Sequence, residues 1–161
     1  MSGAKFNHDA ILETMRVGLR EGMDATLVGS ARLVRRRLSQ AGMGFLYRVA
    51  KGKANGRNLR ARGYHRASLA GQPPAVNTNR LRASWSVETV GNRPDGFANI
   101  FENGRAVVLR YGSNVPYAPM LEFGTRRMKP RPYIKPTLPQ ISMISQRFLK
   151  IAVKRAFART P

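Results

Sequence analysis

Along the first forty residues the apolar positions recur at helical spacing. Leu12, Met15, Leu19, Met23, Leu27, Val34 and Leu38 follow one another at intervals of three, four and seven, which places them on one stripe of a helix from about Asp9 to Gln40. Asn7 is placed to cap its start, and Asp9 and Glu13 sit at the positive end of its dipole. Arg35, Arg36 and Arg37 occupy the last turns, where cations are favoured, and Ala41-Gly42 stops it. Gly18, Gly22 and Gly29 each weaken the interior by roughly 1 kcal/mol relative to Ala. Such a helix needs a partner surface, and its Leu/Met stripe is expected to form core or a subunit interface.

The pattern then breaks. Residues 42–79 are punctuated by Gly52, Gly56, Gly63, Gly71 and Pro73-Pro74, and Arg57, Arg60, Arg62 and Arg66 crowd their middle. This reads as a long basic loop with a short helical or extended piece at Phe45 to Val49. Gly42-Met43-Gly44 follows a helix rather than a strand, so it is a helix stop and not a phosphate loop. From Leu81 the period becomes two: Trp85, Val87 and Thr89 alternate with Ser84, Ser86 and Glu88, as in a half-buried strand. After a turn at Asn92-Arg93-Pro94-Asp95-Gly96, Phe97 to Glu102 and Ala106 to Tyr111 make two more strands around an Asn103-Gly104 hairpin signal. The segment 80–112 is thus expected to be an antiparallel meander whose apolar face the long helix covers. Pro116 to Phe123 forms a short helix or turn ended by Gly124. An extended proline-rich arm follows, and a basic amphipathic helix runs from about Pro139 to Ala158. The expected fold is one α+β domain over 1–161: a long N-terminal helix, an antiparallel sheet of about three to five strands, and a C-terminal amphipathic helix.

Composition changes the picture through charge. The 161 residues carry 29 Lys plus Arg against 8 Asp plus Glu, a formal charge of +21. No acid lies between Asp24 and Glu88, and none follows Glu122, whereas ten basic residues run from Arg126 to Arg159. Self-repulsion on this scale calls for a polyanion or an acidic neighbour. Nothing in the sequence reads as a membrane span or a secretory signal. With no Cys and only His8 and His65, thiolate chemistry is excluded and histidine metal sites are poorly supplied. HExxH, GxxxxGK[ST], GxSxG and dinucleotide fingerprints are all missing, and the scattered carboxylates nominate no acid–base pair. The expectation is a non-enzymatic protein without a cofactor or metal.

Two stretches stand out: QPPAVNTNRLRASWSVETV at 72–90 and VPYAPMLEFGTRRMKPRPYIKPTL at 115–138. The second is an aromatic-anchored turn with one lone acid in basic surroundings. Glu122 can pair with an arginine such as Arg131 or one from a neighbouring subunit, or accept backbone N–H groups around Gly124-Thr125. Pro130 and Pro132 stiffen the arm that presents Tyr133 and Ile134. This is the chemistry of assembly rather than of turnover.

In order, separation and letters the two stretches resemble the tail-completion, or head–tail joining, proteins of long-tailed phages. That family is typified by the phage HK-ninety-seven gene-ten-product family, with the minor tail protein Z of phage lambda as a functional relative. Asn79 stands where the family usually carries glycine, and Asn77 replaces an acid; Asn tolerates left-handed backbone. The resemblance implies a virion protein at the neck, present in the host cytoplasm during assembly. It would form a ring, six-fold in a long-tailed particle, through which DNA passes. Implied partners are copies of itself and neighbouring neck proteins (connector or stopper, tail terminator or tail tube), with non-specific contact to packaged DNA and no membrane. The implied assembly positions are Thr78, Leu81, Arg82 and Ser84 in the first stretch. In the second they are Tyr117, Ala118, Glu122, Phe123, Gly124, Thr125, Arg131, Pro132 and Pro136. Arg57, Arg60, Arg62 and Arg66 are the candidate DNA-facing residues. The rival expectation is a sequence-independent nucleic-acid-binding protein that forms no ring.

Overall fold

A computed structural model describes residues 8–40, 42–48, 53–54, 57–58, 64–75, 79–85, 95–103 and 106–159. The expected cap Asn7, Thr78 with Asn77, Arg60, Arg62, the alternating residues 86–90, the turn residues 92–94 and Gly104 lie outside them. The fold is α+β. Helix α1 spans His8–Leu38 and helix α4 spans Leu138–Arg159, both close to the bounds set by their apolar periodicity. They pack antiparallel, because Gly18 lies against Ala156 and Val153, Gly22 against Leu149, and Gly29 against Ile144 and Phe148.

The buried face of α1 keeps only the C-terminal end of the Leu/Met stripe, Val34 and Leu38. Gly18, Gly22, Thr26, Ser30, Ala31, Val34 and Leu38 are buried, whereas Leu12 and Met15 stay about two-fifths exposed. Small residues win this face because they let two backbones approach. A Cβ added at Gly22 would sit 3.0 Å from Leu149 Cα, and one at Gly18 would sit 3.0 Å from Val153 Cα. The glycines that weaken the isolated helix are the ones that seat its partner.

The expected loop over 42–79 contains paired strands. Strand β1 (Leu46–Arg48) pairs antiparallel with β4 (Tyr64–Arg66), and β2 (Lys53–Ala54) with β3 (Arg57–Asn58). Gly44 N–H donates to the Ala67 carbonyl at 2.8 Å, and a Cβ at Gly42 would lie 2.3 Å from that same oxygen. Gly42 and Gly44 therefore admit the returning strand as well as stopping the helix.

In the described part of the expected first strand, 81–85, the chain is a helix rather than a strand; residues 86–90 lie outside the described residues. Arg80–Ser84 forms α2, with Trp85 at its C-terminal cap and Asn79 at its start in the left-handed region, φ 63°. Leu81, Ser84 and Trp85 are all buried, and intervals of three and four suit one helix face as well as alternation suits a strand. The other two expected strands form a hairpin, β5 (Gly96–Asn103) with β6 (Ala106–Ser113), in the register Phe97↔Gly112 to Asn103↔Ala106. Its Ala98, Ile100, Val107, Leu109 and Tyr111 are the more buried positions, while Phe97, Phe101 and Val108 are exposed on alternate positions.

The core joins all these parts. Val34 and Leu38 of α1, Leu81 and Trp85 of α2, and Val115, Ala118 and Tyr133 form one buried cluster. Trp85 sits between Tyr111 and Tyr133, edge-on to both, with ring centroids 5.9 and 6.3 Å apart, the arrangement that aromatic quadrupoles favour.

Candidate functional site: a carboxylate clamp and its exposed flank

The segment from Val115 to Thr137 folds back on itself around one carboxylate. Ala118–Phe123 forms α3, Gly124 ends it with φ 81°, and Thr125 to Met128 make a tight reversal. The Thr125 and Met128 backbones bond each other at 2.8 and 3.2 Å, and Thr125 Oγ1 accepts from the Met128 N–H at 3.1 Å. Only glycine fits at 124: the backbone is left-handed, and a Cβ would lie 2.7 Å from the Met128 carbonyl oxygen. Past the reversal, the Arg131 N–H donates to the Leu121 carbonyl at 2.8 Å, so the arm runs back along α3.

At the centre lies Glu122, only 7% exposed. Its carboxylate accepts three successive backbone N–H groups: Tyr133 at 2.8 Å, Ile134 at 3.0 Å and Lys135 at 2.8 Å. Lys135–Thr137 is a 3-10 turn that runs directly into α4, so Glu122 caps a continuous helical run whose first donors would otherwise be unpaired. A negative charge there also faces the positive end of the helix dipole. Pro136 and Pro139 fall in the opening turns, where a missing N–H costs nothing. Of the partners the sequence offered within the chain, Arg131 and the backbone near Gly124-Thr125, Glu122 uses neither; its donors are backbone N–H groups farther along. Arg131 contributes its main chain, and its Nε is buried without a partner among the described residues. Pro132, half-buried, follows it in the arm. The donors come from 11 to 13 residues downstream, a distance at which no local spacing signal operates.

The clamp fixes Tyr133, 1% exposed, in the core beside Trp85. Burial pushes the Tyr133 hydroxyl up to about 12, and the nearby Glu122 carboxylate adds to the shift. Burial also raises Tyr111.

Next to the buried carboxylate, the chain turns apolar side chains outward. Phe123 is 79% exposed, and Tyr117, Met120 and Leu138 are exposed around it. Between the hairpin, α3 and the start of α4 lies a groove of about 710 Å³, with Trp85, Phe97, Phe123, Leu138 and Ile141 in its walls.

The first stretch meets the second in the core through Leu81 and Trp85. Ser84 Oγ lies 2.7 Å from both the Leu81 carbonyl oxygen and the Ser113 hydroxyl, tying α2 to the end of the hairpin. Arg82 points elsewhere: its guanidinium donates to Asn79 Oδ1 at 2.6 Å and to Ser39 Oγ at 3.2 Å, at the end of α1. Arg80, two residues earlier, forms a two-pronged pair with Asp95 at 2.6 and 2.7 Å. Of the four expected DNA-facing arginines, Arg57 and Arg66 fall on β3 and β4, and Arg66 Nη1 donates to the Gly44 carbonyl at 3.3 Å. No protein family, curated protein or solved structure matches this chain. Among the described residues, no group of three or more His, Asp or Glu side chains could hold a metal, and no helix is long and apolar enough to cross a membrane.

Proposed function

We propose that this chain is a structural protein of a tailed phage particle, completing the tail and joining it to the head as a ring at the neck. One observation carries the reading. The Glu122 clamp holds the arm rigidly from inside, while the adjoining Phe123 is left almost wholly in solvent. A helix α3 fixed by the clamp that displays an aromatic anchor at its end is built to be covered by something else, since exposed aromatic side chains mark contact surfaces and pre-organisation lowers the cost of binding. The resemblance of 72–90 and 115–138 to the tail-completion family supplies the identity of the assembly. Leu81 and Ala118, one from each stretch, share a core, so the two motifs act as one unit.

Phe123→Ala is the discriminating variant, because truncating so exposed a side chain leaves stability within about 0.5 kcal/mol. Mass photometry of the wild type should show an oligomer, alone or with a neighbouring neck protein. Phe123→Ala should fold normally, lose that association and fail to complement particles lacking the wild-type chain. A wild-type protein that stays monomeric under all conditions and is missing from purified particles overturns the proposal.

A further inference from the structure

Three arginines of α1, Arg32, Arg35 and Arg36, stand at intervals of three and four and so share one side of the helix near its C-terminal end. Together with Ser39 and Arg82 they line an open groove of about 330 Å³. Among the described residues, no acidic and no apolar side chain lines it. The ion pairs Arg16–Glu13, Arg20–Glu102 and Arg80–Asp95 lie elsewhere. The contrast within α2 is informative: Arg80 is neutralised by Asp95, whereas Arg82 is held by two neutral groups, Asn79 Oδ1 and Ser39 Oγ. Ser39 itself donates to the Arg35 carbonyl at 2.7 Å, so Arg82 is fastened to the last turn of α1 and its position is fixed before any ligand arrives.

Cations near a helix C-terminus are favoured by the dipole, by about 0.3–1 kcal/mol each. That accounts for some basic residues there, but not for a fourth guanidinium brought from another helix and pinned by neutral groups alone. Four planar forks along one open groove match the spaced pairs of non-bridging oxygens of a phosphodiester chain, each pair able to accept two parallel hydrogen bonds. A membrane-docking patch would set apolar residues among the cations, and every residue that lines this groove is arginine or serine.

We infer that the groove between the end of α1 and α2 binds the phosphate backbone of duplex nucleic acid without reading its sequence. The inference goes beyond the assembly reading and does not depend on it, since one copy presents the whole groove. It places a nucleic-acid contact at Arg32, Arg35, Arg36 and Arg82, separate from the 57–66 arginines named from the sequence.

The test is fluorescence anisotropy with a 30-base-pair duplex DNA of arbitrary sequence, titrated at several salt concentrations. Each lost phosphate contact removes about 0.9 from the slope of log K against log salt. The triple variant Arg32→Gln, Arg35→Gln, Arg36→Gln should therefore bind on the order of 100-fold more weakly at 0.15 M salt, with a slope less steep by about 2.7. A second triple variant removes equal charge from exposed positions on α4: Arg147→Gln, Lys150→Gln and Lys154→Gln. It should lose less than tenfold. Substituting lysine at all three groove positions keeps the charge and the helix end, and should keep the slope. Circular dichroism confirms folding of each. Equal losses in the groove and α4 variants would mean that binding follows net charge alone and would overturn the inference. So would wild-type protein that ignores the duplex at low salt. The inference also fails if the groove substitutions release the protein from phosphatidylserine vesicles, or from a polyglutamate peptide, while leaving duplex binding intact.

Discussion

Glu122 shows how much one side chain can organise. A buried carboxylate with three backbone donors at 2.8–3.0 Å makes charge-assisted bonds, each stronger than a neutral one. Glu122→Gln keeps the shape but turns an N–H2 toward donors that need an acceptor. Urea unfolding should register a loss of about 2–4 kcal/mol, and a loss under about 0.5 kcal/mol would show that the carboxylate does not hold the arm. Tyr133 gives the same clamp a pH signature. The folded chain holds the phenol proton more tightly than the unfolded chain, so this contribution to stability is complete below pH 10. It is lost as pH rises from the ordinary value of 10.0 toward about 12. An absorbance titration at 295 nm should show a phenol ionising near pH 12, assigned to Tyr133 by its loss in Tyr133→Phe, with Tyr111 also above the ordinary value. Denaturation midpoints should fall across the same interval. The sequence marks Glu122 and Tyr133 as unusual residues but cannot pair them, because an acceptor side chain carries no label for main-chain donors on a later turn.

At the scale of elements, α1 and α4 are held by the absence of side chains. Gly22→Ala pits a gain of about 1 kcal/mol in helix propensity against a Cβ only 2.8 Å from Leu149 Cδ2 and 3.0 Å from Leu149 Cα. The Cδ2 can swing aside, but the Cα belongs to backbone and forces the helices apart. The variant should be less stable by about 1–2 kcal/mol in thermal or urea unfolding, and a stabilised variant would show that the helices can separate without cost. This interface also explains what the sequence conceals. The ends of α1 and α4, the β5–β6 hairpin and the Gly124 stop are legible, because each rests on periodicity or turn chemistry inside its own segment. The packing face of α1 is not, since a hydrophobicity pattern ranks Leu12 and Met15 above Gly18 and Gly22, while backbone approach ranks them the other way. The 80–84 helix escapes a strand-like pattern for a related reason: in Arg-Leu-Arg-Ala-Ser-Trp, burial of Leu81, Ser84 and Trp85 against the core decides between two periods that the letters fit equally.

For the molecule as a whole, the net charge of +21 sets the response to salt. Acids are too few to pair with the basic residues, and the pairs Arg16–Glu13 and Arg20–Glu102 are exposed enough to contribute little, which leaves the two-pronged Arg80–Asp95 as the stronger pair. Screening therefore removes more repulsion than attraction. Raising salt from about 0.05 to 0.5 M should stabilise the monomer by about 1–2 kcal/mol and raise its melting temperature by about 3–6 °C; a lower melting temperature would show that attractive pairs dominate. Association of copies works against the same repulsion, so contacts made through the Phe123 flank should strengthen with salt. Contacts between the arginine groove and a phosphate backbone release counterions and must weaken with it. The two surfaces thus respond in opposite directions to one variable. A salt titration followed by both mass photometry and duplex anisotropy separates them: Phe123→Ala should abolish the rising curve and spare the falling one, and the groove variant should weaken and flatten the falling curve while sparing the rising one.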